Sequence, residues 1–513
     1  MSDDAAQHDR FVRPLPPSPN LDRQRKLAKA LARDYWRGRP AAVARVRALH
    51  PQPPSPDAFL LSDAQLVIAR GYGFSGWPQL KRKIDSLTKS PAEQFVAAVE
   101  GGDIDEVRRL LQTHGDLTAR INAPLFAFDS PAVHVARSNL PLLDLLLAHG
   151  ADLNARSSWD KGGFGVLEQV SPEEAPPLMA RGARVDVWAA ANLGRMAEFA
   201  ALVEREPALV HAKGGDGKRP LHFARTVDIA RYLLAHGAEI DALDDDHDST
   251  PAQHLVGDRP EVAAFLVAQG ARCDLLLATA LGDLARVRAA LDAAPDAIAM
   301  RVDQDWFPMI DTAANGGHIY QWTLGFHVSA FDIARKRGHA DVLALLLQRA
   351  GPRERLTDAL WCGDEARADA VLARDPHMVA REAGRVARQV ADAARNNNTT
   401  AVRAMLRRGF PPTAVSQHGA MPLHWAAFHG NPEMMQDILR HNPPIDAQDR
   451  QFDGTPMGWL IHGALNPWRG ISTGRHDACA PLLLEAGAAV DRASLPTGHD
   501  GIDRVLRRYL VGG

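Results

Sequence analysis

Apolar positions along most of the chain follow the spacing of short, paired helices. In the first helix of a pair, alanines precede a glycine turn, as in Ala189, Ala190 and Ala191 before Gly194. In the second helix, leucines cover nearly the whole circumference, as they do from Leu142 to Leu147. A helix that is apolar all round must be covered on both sides. The pattern therefore predicts an all-α array in which every helix pair packs between two neighbouring pairs.

The helix pairs repeat at a nearly constant interval. Gly150 and Gly182 are 32 residues apart, and Gly237 and Gly270 are 33 residues apart. Glycine suits the left-handed backbone that ends a helix, and we expect this conformation at Gly237, Gly270 and Gly487. Residues 91–492 are therefore expected to hold about twelve repeats, several of them degenerate.

One segment carries a repeat signature that belongs to a known family. The run Pro422-Leu423-His424-Trp425-Ala426-Ala427 resembles the ankyrin repeat, whose signature is Thr-Pro-Leu-His-x-Ala. Weaker copies begin at Pro220-Leu221-His222 and at Thr250-Pro251. The resemblance is to bacterial ankyrin repeat proteins, a source that the scarcity of lysine and the abundance of alanine also suggest, and it extends over roughly four-fifths of the chain.

The resemblance implies both a fold and a function. The fold would be a solenoid of helix-turn-helix units joined by short hairpin loops. His222 and His424 would form structural hydrogen bonds between repeats, and Thr250 and Thr455 would cap the helices that follow them by accepting from free backbone N–H groups. The function would be that of a non-enzymatic scaffold, which binds a protein partner through the concave face of the array.

The two ends of the chain differ from the array. Residues 1–20 are a polar, proline-rich leader that we expect to be disordered, residues 21–90 are a small helical module, and residues 493–513 are expected to form a capping helix. Residues 1–90 contain 16 lysines and arginines and 8 acidic residues, a net charge of +8, whereas the whole chain has a net charge of −3. The N-terminal module is therefore basic and the rest of the chain is acidic.

The basic module allows two interpretations. Residues 69–84 resemble a helix-turn-helix unit, with Leu80 and Ile84 on its inner face and the basic run 81–83 facing outward. The alternative function is accordingly that of a DNA-associated regulator which uses this module. In the favoured interpretation, the module covers the apolar face of the first repeat and binds no nucleic acid.

Departures from the repeat pattern mark the expected partner-binding surface. Two stretches, 306–327 and 464–476, are insertions, and insertions in solenoids map to loops on one face. Aromatic and arginine residues there either contact a partner or fill gaps between irregular repeats. With the hairpin tips, they give the candidate partner-binding residues Lys218, Arg219, Asp245, Asp246, His247, Trp306, Tyr320, Trp322, Gln451, Phe452, Asp453, Trp468 and Arg469.

No motif for catalysis, metal binding or cofactor binding is complete. The glycines from Gly71 to Gly76 have the spacing of a dinucleotide loop, but a helix is predicted before them where that loop needs a strand. The run 214–218 lacks two residues of a phosphate loop. The acids at 244, 246 and 248 begin like a calcium loop, but Ser249 and Leu255 stand where glycine and glutamate are needed. We therefore expect exposed hairpin acids here, and no catalytic residue, metal or cofactor.

The remaining signals concern the setting of the protein. No stretch has the roughly 18 consecutive apolar residues of a membrane helix, and the run from Met1 to Asp4 lacks the basic and apolar residues of a secretory signal. Cys273, Cys362 and Cys479 are odd in number and far apart, so no disulfide framework is expected. These features predict a cytoplasmic protein without membrane contact, and a monomer, whose partner the sequence does not name.

Overall fold

The fold is entirely helical in the residues that the structure describes. The computed structural model describes residues 11–16, 19–310, 317–381, 385–468, 470–490 and 495–512. These contain 31 α-helices and seven short 3-10 helices, and they contain no strand, only the isolated bridges Phe126–Ser130 and Arg301–Ser329. The all-α class predicted from the apolar pattern is confirmed.

The chain forms two compact units. The terminal unit combines residues 1–88 with residues 351–513, and the array unit comprises residues 89–350. The helices of the terminal unit are α1 (Leu21–Trp36), α2 (Pro40–Leu49), α3 (Leu61–Arg70), α4 (Trp77–Thr88), α22 (Pro352–Cys362), α23 (Glu365–Leu372), α24 (Met378–Arg381), α25 (Arg385–Arg395), α26 (Thr399–Leu406), α27 (Pro422–His429), α28 (Pro432–Leu439), α29 (Pro456–Leu465), α30 (His476–Glu485) and α31 (Asp500–Gly512).

The array unit contains the remaining helices. They are α5 (Pro91–Glu100), α6 (Ile104–Thr113), α7 (Gly115–Ala119), α8 (Ala132–Ala136), α9 (Leu140–Ala148), α10 (Ala175–Met179), α11 (Val187–Leu193), α12 (Met196–Arg205), α13 (Pro220–Phe223), α14 (Val227–Ala235), α15 (Pro251–Leu255), α16 (Pro260–Ala268), α17 (Leu275–Leu281), α18 (Leu284–Ala293), α19 (Tyr320–Thr323), α20 (Ala330–Arg337) and α21 (Ala340–Arg349). The 3-10 helices of both units are Pro56–Ala58, Ala127–Asp129, Val166–Gln169, Pro207–His211, Gly215–Gly217, Pro295–Ala299 and Gln417–Gly419.

Within each unit, like helices of successive pairs pack against each other. In the array unit, α11, α13 and α15 pack in sequence as first helices, and α12, α14 and α16 do so as second helices. In the terminal unit, α25, α27 and α29 form one such row and α26, α28 and α30 form the other. The predicted alanines allow this close approach, because Ala190 and Ala426 are completely buried between neighbours. This stacking of like helices is the arrangement of a solenoid.

Caps and turns define where the repeat helices begin and end. Thr455 caps α29 as predicted, because its hydroxyl oxygen accepts from the backbone N–H of Gly458 at 3.2 Å. The prediction for Thr250 is wrong: its hydroxyl has no hydrogen-bond partner, and the amide oxygen of Gln253 accepts from the backbone N–H of Thr250 instead. Gly237, Gly270 and Gly487 have φ values of 87°, 104° and 96°, which confirms the left-handed backbone expected there.

The N-terminal module belongs to the terminal unit. Helix α3 ends at Arg70, directly before the glycine run, so the strand that a dinucleotide loop requires is absent from this described segment. Within this unit, the module contacts the C-terminal end of the chain. Arg33 of α1 donates to the carbonyl oxygen of Leu495 at 3.1 Å, and the guanidinium of Arg507 in α31 lies 4.0 Å from the ring centre of Trp36.

Candidate functional site

The hairpin before α29 presents an exposed aromatic side chain on a firmly bonded loop. Its anchor is Asp449, whose carboxylate is buried. One carboxylate oxygen accepts from the backbone N–H groups of Gln451 at 2.9 Å and Phe452 at 2.6 Å. The other accepts from the backbone N–H of Gly454 at 2.8 Å and from the indole Nε1–H of Trp459 at 2.9 Å. Four donors on one carboxylate fix the course of this loop.

The charge state of Asp449 reflects two opposing effects. Burial alone would raise the pKa of this carboxyl. The hydrogen bonds from Trp459, Phe452, Gly454 and Gln451 favour the ionised form, and as a result the pKa lies below its ordinary value. The anchor of the loop is therefore an ionised carboxylate at neutral pH.

Phe452 is an accessible aromatic candidate in the terminal unit. Its side chain is 61% exposed, although its ring lies 5.1 Å from the His418 ring. Gln451 and Asp453 beside it are also exposed, and Asp453 has a left-handed backbone with φ of 52°. An aromatic ring held at the surface by a bonded turn is the type of residue that protein interfaces use.

Trp468, in the insertion after α29, fills a gap. Its ring packs against Phe428 at 4.9 Å and Trp425 at 5.7 Å, and the guanidinium of Arg395 lies 5.2 Å from it. The side chain is half-buried, which agrees with the gap-filling interpretation. The neighbouring candidate Arg469 lies outside the described residues.

The charged tip residues of the array unit are paired within the chain. Lys218 lies 3.0 Å from a carboxylate oxygen of Asp216, and Asp245 accepts from Lys213 at 2.8 Å. Arg219 forms an ion pair with Glu239. Of the three pairs, Lys213–Asp245 is exposed on both sides and contributes little to stability. Each pair must be broken before its members can pair with another protein.

The first insertion covers the next hairpin tip. His247 is buried, and its Nδ1 lies 2.7 Å from the carbonyl oxygen of Gly317. The backbone N–H of Ile319 donates to the hydroxyl oxygen of Ser249 at 3.2 Å, and that of Ile310 donates to the carboxylate of Asp248 at 2.7 Å. Hydrogen bonds therefore join the hairpin tip and the insertion into one surface.

The candidates at this covered tip differ in exposure. Asp246 is half-buried, and burial raises its pKa in spite of the nearby His247 ring. Tyr320 is completely buried, and its hydroxyl donates to Asp274 at 2.8 Å. Trp306 is half-buried, whereas Trp322 is 66% exposed. Neither His247 nor Tyr320 offers its side chain to solvent, so Trp322 is the accessible aromatic candidate of this insertion.

The histidines of the repeat signature have the structural role that the resemblance implies. Nδ1 of His222 accepts from the backbone N–H of Arg219 at 3.1 Å, and Nε2 lies 3.3 Å from the carbonyl oxygen of Ser249. His424 repeats this pattern with the backbone N–H of Met421 at 3.2 Å and two carbonyl oxygens at 3.1 Å. The partners assign the proton to Nε2 in both rings.

The fold also assembles a cluster that the sequence did not indicate. Ligand-type atoms of His222, Asp244 and His254 lie within 4.8 Å of one another. The sequence expectation of exposed hairpin acids is wrong for Asp244, which is 2% exposed and accepts from the backbone N–H groups of His247 and Ser249. Nε2 of His254 lies 3.2 Å from Asp244, and the electrostatic and hydrogen-bonding effects of this ring keep the Asp244 pKa low although burial would raise it.

Hydrogen bonding limits what this cluster can bind. A histidine ligates a metal through a nitrogen lone pair and carries its proton on the other nitrogen. In His222 the lone pair is on Nδ1 and is already used by the Arg219 N–H group, so metal binding at Nε2 would break the helix cap. Asp244 and His254 could each supply a ligand, but two protein ligands fall short of the three or four in protein zinc sites.

Sequence reasoning missed an aromatic group formed by two connecting segments of the array unit. Phe128 is 53% exposed and has a left-handed backbone with φ of 58°. Its ring lies 5.2 Å from that of Trp159 and 5.9 Å from that of Phe164. A bulky residue rarely adopts positive φ, and such strain concentrates at functional positions. The available signal was the presence of aromatic residues within the irregular repeats.

Stacked helix pairs with hairpin loops define the class of helical repeat proteins. The ankyrin repeat family model matches residues 216–245 in the array unit and residues 418–450 in the terminal unit. Among solved structures, the chain is similar to the human ASB11 ankyrin repeat domain, at 16% identity over 60% of this chain and 100% of that chain, with a TM-score of 0.24. A search of curated proteins found no match. The chain therefore contains ankyrin repeats, with one matched repeat in each unit.

Among the described residues, no helix combines the length and the apolar character needed to cross a bilayer.

Proposed function

We propose that this protein is a non-enzymatic scaffold in the cytoplasm, which binds a protein partner through the concave face of its repeats. Ankyrin repeats generally mediate protein–protein interactions. The observation that carries the proposal is the hairpin tip at Phe452, where an exposed aromatic ring is held by a loop anchored on Asp449. Binding to such a loop costs little ordering entropy.

Trp322 is the corresponding proposed contact in the array unit. Its ring is 66% exposed on the first insertion, whose backbone is bonded to the hairpin tip before α15. Tryptophan is enriched among the residues that dominate binding energy. We assign Phe452 and Trp322 as principal contacts in their respective units. Gln451, Asp453, Lys218, Arg219 and Asp245 are assigned as polar contacts around them.

One observation favours a scaffold rather than an enzyme, and a second observation favours a cytoplasmic location. The most concentrated group of titratable side chains, around Asp244, is buried and is bonded to its own hairpin. The three cysteines are unpaired, as is usual in a reducing compartment. The exposed basic run 81–83 would also suit a nucleic acid, but charge alone does not distinguish that from an ordinary solvated helix face.

Affinity capture with matched variants of the full chain tests the proposal. The baits are the wild type, Phe452→Ala, Trp322→Ala and the control Tyr509→Ala, which removes a side chain 48% exposed on α31. We expect a protein that the wild type and the control recover, and whose affinity, measured after purification, falls about tenfold or more with Phe452→Ala or Trp322→Ala. Equal capture by all four baits would reject the assigned surface.

A further inference from the structure

Two arginines meet at the turn that follows α3 in the N-terminal module. The backbone N–H of Arg13 donates to the carbonyl oxygen of Gly71 at 2.9 Å. Its guanidinium donates to the Tyr72 hydroxyl at 3.0 Å. From the other side, a terminal nitrogen of Arg45 approaches so closely that a Cβ atom added to Gly71 would lie 3.1 Å from it. The turn at Gly71 therefore brings two positive charges together.

The positive charge of Arg45 is not compensated by any carboxylate that the structure describes. Its Nε atom is buried without a hydrogen-bond partner, and among the described residues no carboxylate forms an ion pair with it. Burial lowers the pKa of Arg45, and the positive charge of Arg13 lowers it further. Arg70, which directly precedes Gly71, also has a buried Nε atom without a partner.

Of the other arginines with such a buried nitrogen in the described part of the chain, Arg70 alone shares this situation. Five more have a buried guanidinium nitrogen without a hydrogen-bond partner, but each of them has a carboxylate or a carbonyl oxygen close to its guanidinium. These pairs are Arg219 with Glu239, Arg259 with Asp258, Arg367 with Asp358, Arg388 with Asp392, and Arg507 with the Phe59 carbonyl. A partly buried guanidinium without any acceptor is costly. Arg45 and Arg70 are the two exceptions, and Arg45 also faces the positive charge of Arg13 at the Gly71 turn, which indicates a site built for a ligand.

We propose that Arg13, Arg45 and Tyr72 bind the phosphate group of a ligand at the Gly71 turn. Guanidinium groups form paired, charge-assisted hydrogen bonds with phosphate oxygens, and two of them match its double charge. The Tyr72 oxygen accepts from Arg13, so its own O–H remains to donate to the ligand. Glycine at position 71 leaves the space through which Arg45 reaches the turn.

The primary test uses inorganic phosphate as the probe and the full chain as the receptor. Isothermal titration at constant ionic strength compares the wild type with Arg45→Met and with the control Arg47→Met, which removes an exposed arginine from the same helix. We expect one phosphate per chain for the wild type and the control, and an affinity at least about tenfold lower for Arg45→Met. Absence of saturable binding by the wild type, or equal weakening by both substitutions, would overturn the proposal.

Thermal unfolding separates a ligand site from a merely structural arginine. Without phosphate, Arg45→Met should unfold at the same temperature as the wild type or higher, because the substitution removes an uncompensated charge. Phosphate should raise the midpoint of the wild type and leave that of the variant unchanged. A variant that is less stable without phosphate, and that phosphate stabilises as much as the wild type, would overturn the assignment.

A second titration distinguishes the source of the phosphate group. A short DNA duplex replaces inorganic phosphate, and a variant with Lys81, Arg82 and Lys83 all changed to alanine is added. If Arg45→Met abolishes binding of both probes, the site is supported and takes a nucleic-acid phosphate. If it abolishes binding of inorganic phosphate alone, the site is supported and takes the phosphate of a small molecule.

Discussion

Arg507, in the last helix, donates a hydrogen bond to the backbone carbonyl oxygen of Phe59 at 3.0 Å, across 448 positions of sequence. The indole Nε1–H of Trp36 donates to the same oxygen, also at 3.0 Å. The Arg507 guanidinium stacks over that indole, with 4.0 Å between the guanidinium carbon and the ring centre. One arginine thus connects α31 to both α1 and the loop before α3.

Removal of this arginine should loosen the N-terminal module. Arg507→Met deletes the hydrogen bond and the cation–π contact, and we expect a loss of about 1 kcal/mol in local stability. The measurement is amide hydrogen exchange in α1 and α31, which should become faster in the variant. Arg508→Met changes an exposed neighbour and serves as the control. Equal exchange in both variants would contradict a role for Arg507 in holding the module.

Gly463 sits where two first helices touch through their backbones. A Cβ atom at this position would lie 2.1 Å from the carbonyl oxygen of Phe428 in α27. Gly463→Ala should therefore lower the free energy of unfolding of the terminal unit by about 1–3 kcal/mol. Denaturant unfolding followed by tryptophan fluorescence measures the change.

Gly458 provides the matched control in the same helix. It is exposed, and the nearest atom to an added Cβ is the Thr455 hydroxyl oxygen at 3.7 Å. Gly458→Ala should raise the stability of the unit by about 0.5–1 kcal/mol, because alanine favours the helix. If both substitutions change the free energy of unfolding in the same direction, α27 and α29 are not in backbone contact.

Acid should destabilise the array unit through its buried histidines. Burial lowers the pKa of His222 from 6.5 to about 3. Between these values the unfolded chain binds a proton that the folded chain does not, so the stability contributed by neutral His222 is complete above pH 6.5 and declines as the pH falls toward 3. His222→Gln should therefore make thermal stability less dependent on pH in this range.

Glutamine is a suitable replacement because the chain already uses it. Gln253 occupies the equivalent slot of the next repeat, and its amide oxygen accepts from the backbone N–H of Thr250 at 2.9 Å. His236→Gln, at an exposed position directly after α14, is the control. If the wild type, His222→Gln and the control show the same decline between pH 6.5 and 4, His222 does not carry the effect.

Asp449 should make the stability of the hairpin at Phe452 depend on pH in a different range from that of His222. Its hydrogen bonds hold the pKa of the carboxyl below the ordinary value, so its contribution is present above about pH 4 and is lost as the pH falls through the folded-state pKa. Asp449→Asn should accelerate amide exchange at Phe452 and Gly454 at neutral pH. The difference from the wild type should shrink in acid, whereas Asp453→Asn should have little effect at any pH.

Local signals were sufficient to predict the repeats. The Pro-Leu-His segments place His222 and His424 at the same hydrogen-bonding position, and the alanines of first helices are buried between neighbours. These features depend on residues close together in the sequence. The same holds for Leu80 and Ile84, which are buried, and for the basic run 81–83, which is exposed as predicted.

Contacts made by the insertions could not be predicted in the same way. Ile319 bonds to Ser249 across 70 positions, and Tyr320 bonds to Asp274 across 46 positions. No periodic pattern in the sequence shows which part of the fold such a loop will contact. Tyr320 could therefore be chosen as a candidate partner-binding residue from its residue type alone, and its side chain proved to be buried. The proximity of His254 to Asp244 likewise depends on how one hairpin folds onto the next helix.

The four hydrogen bonds on Asp449 have a kinetic consequence for any complex formed at Phe452. A partner meets a loop that already has its final shape, so the encounter requires no slow rearrangement on this side. Substitutions of the ring should then change the lifetime of the complex far more than the rate at which it forms.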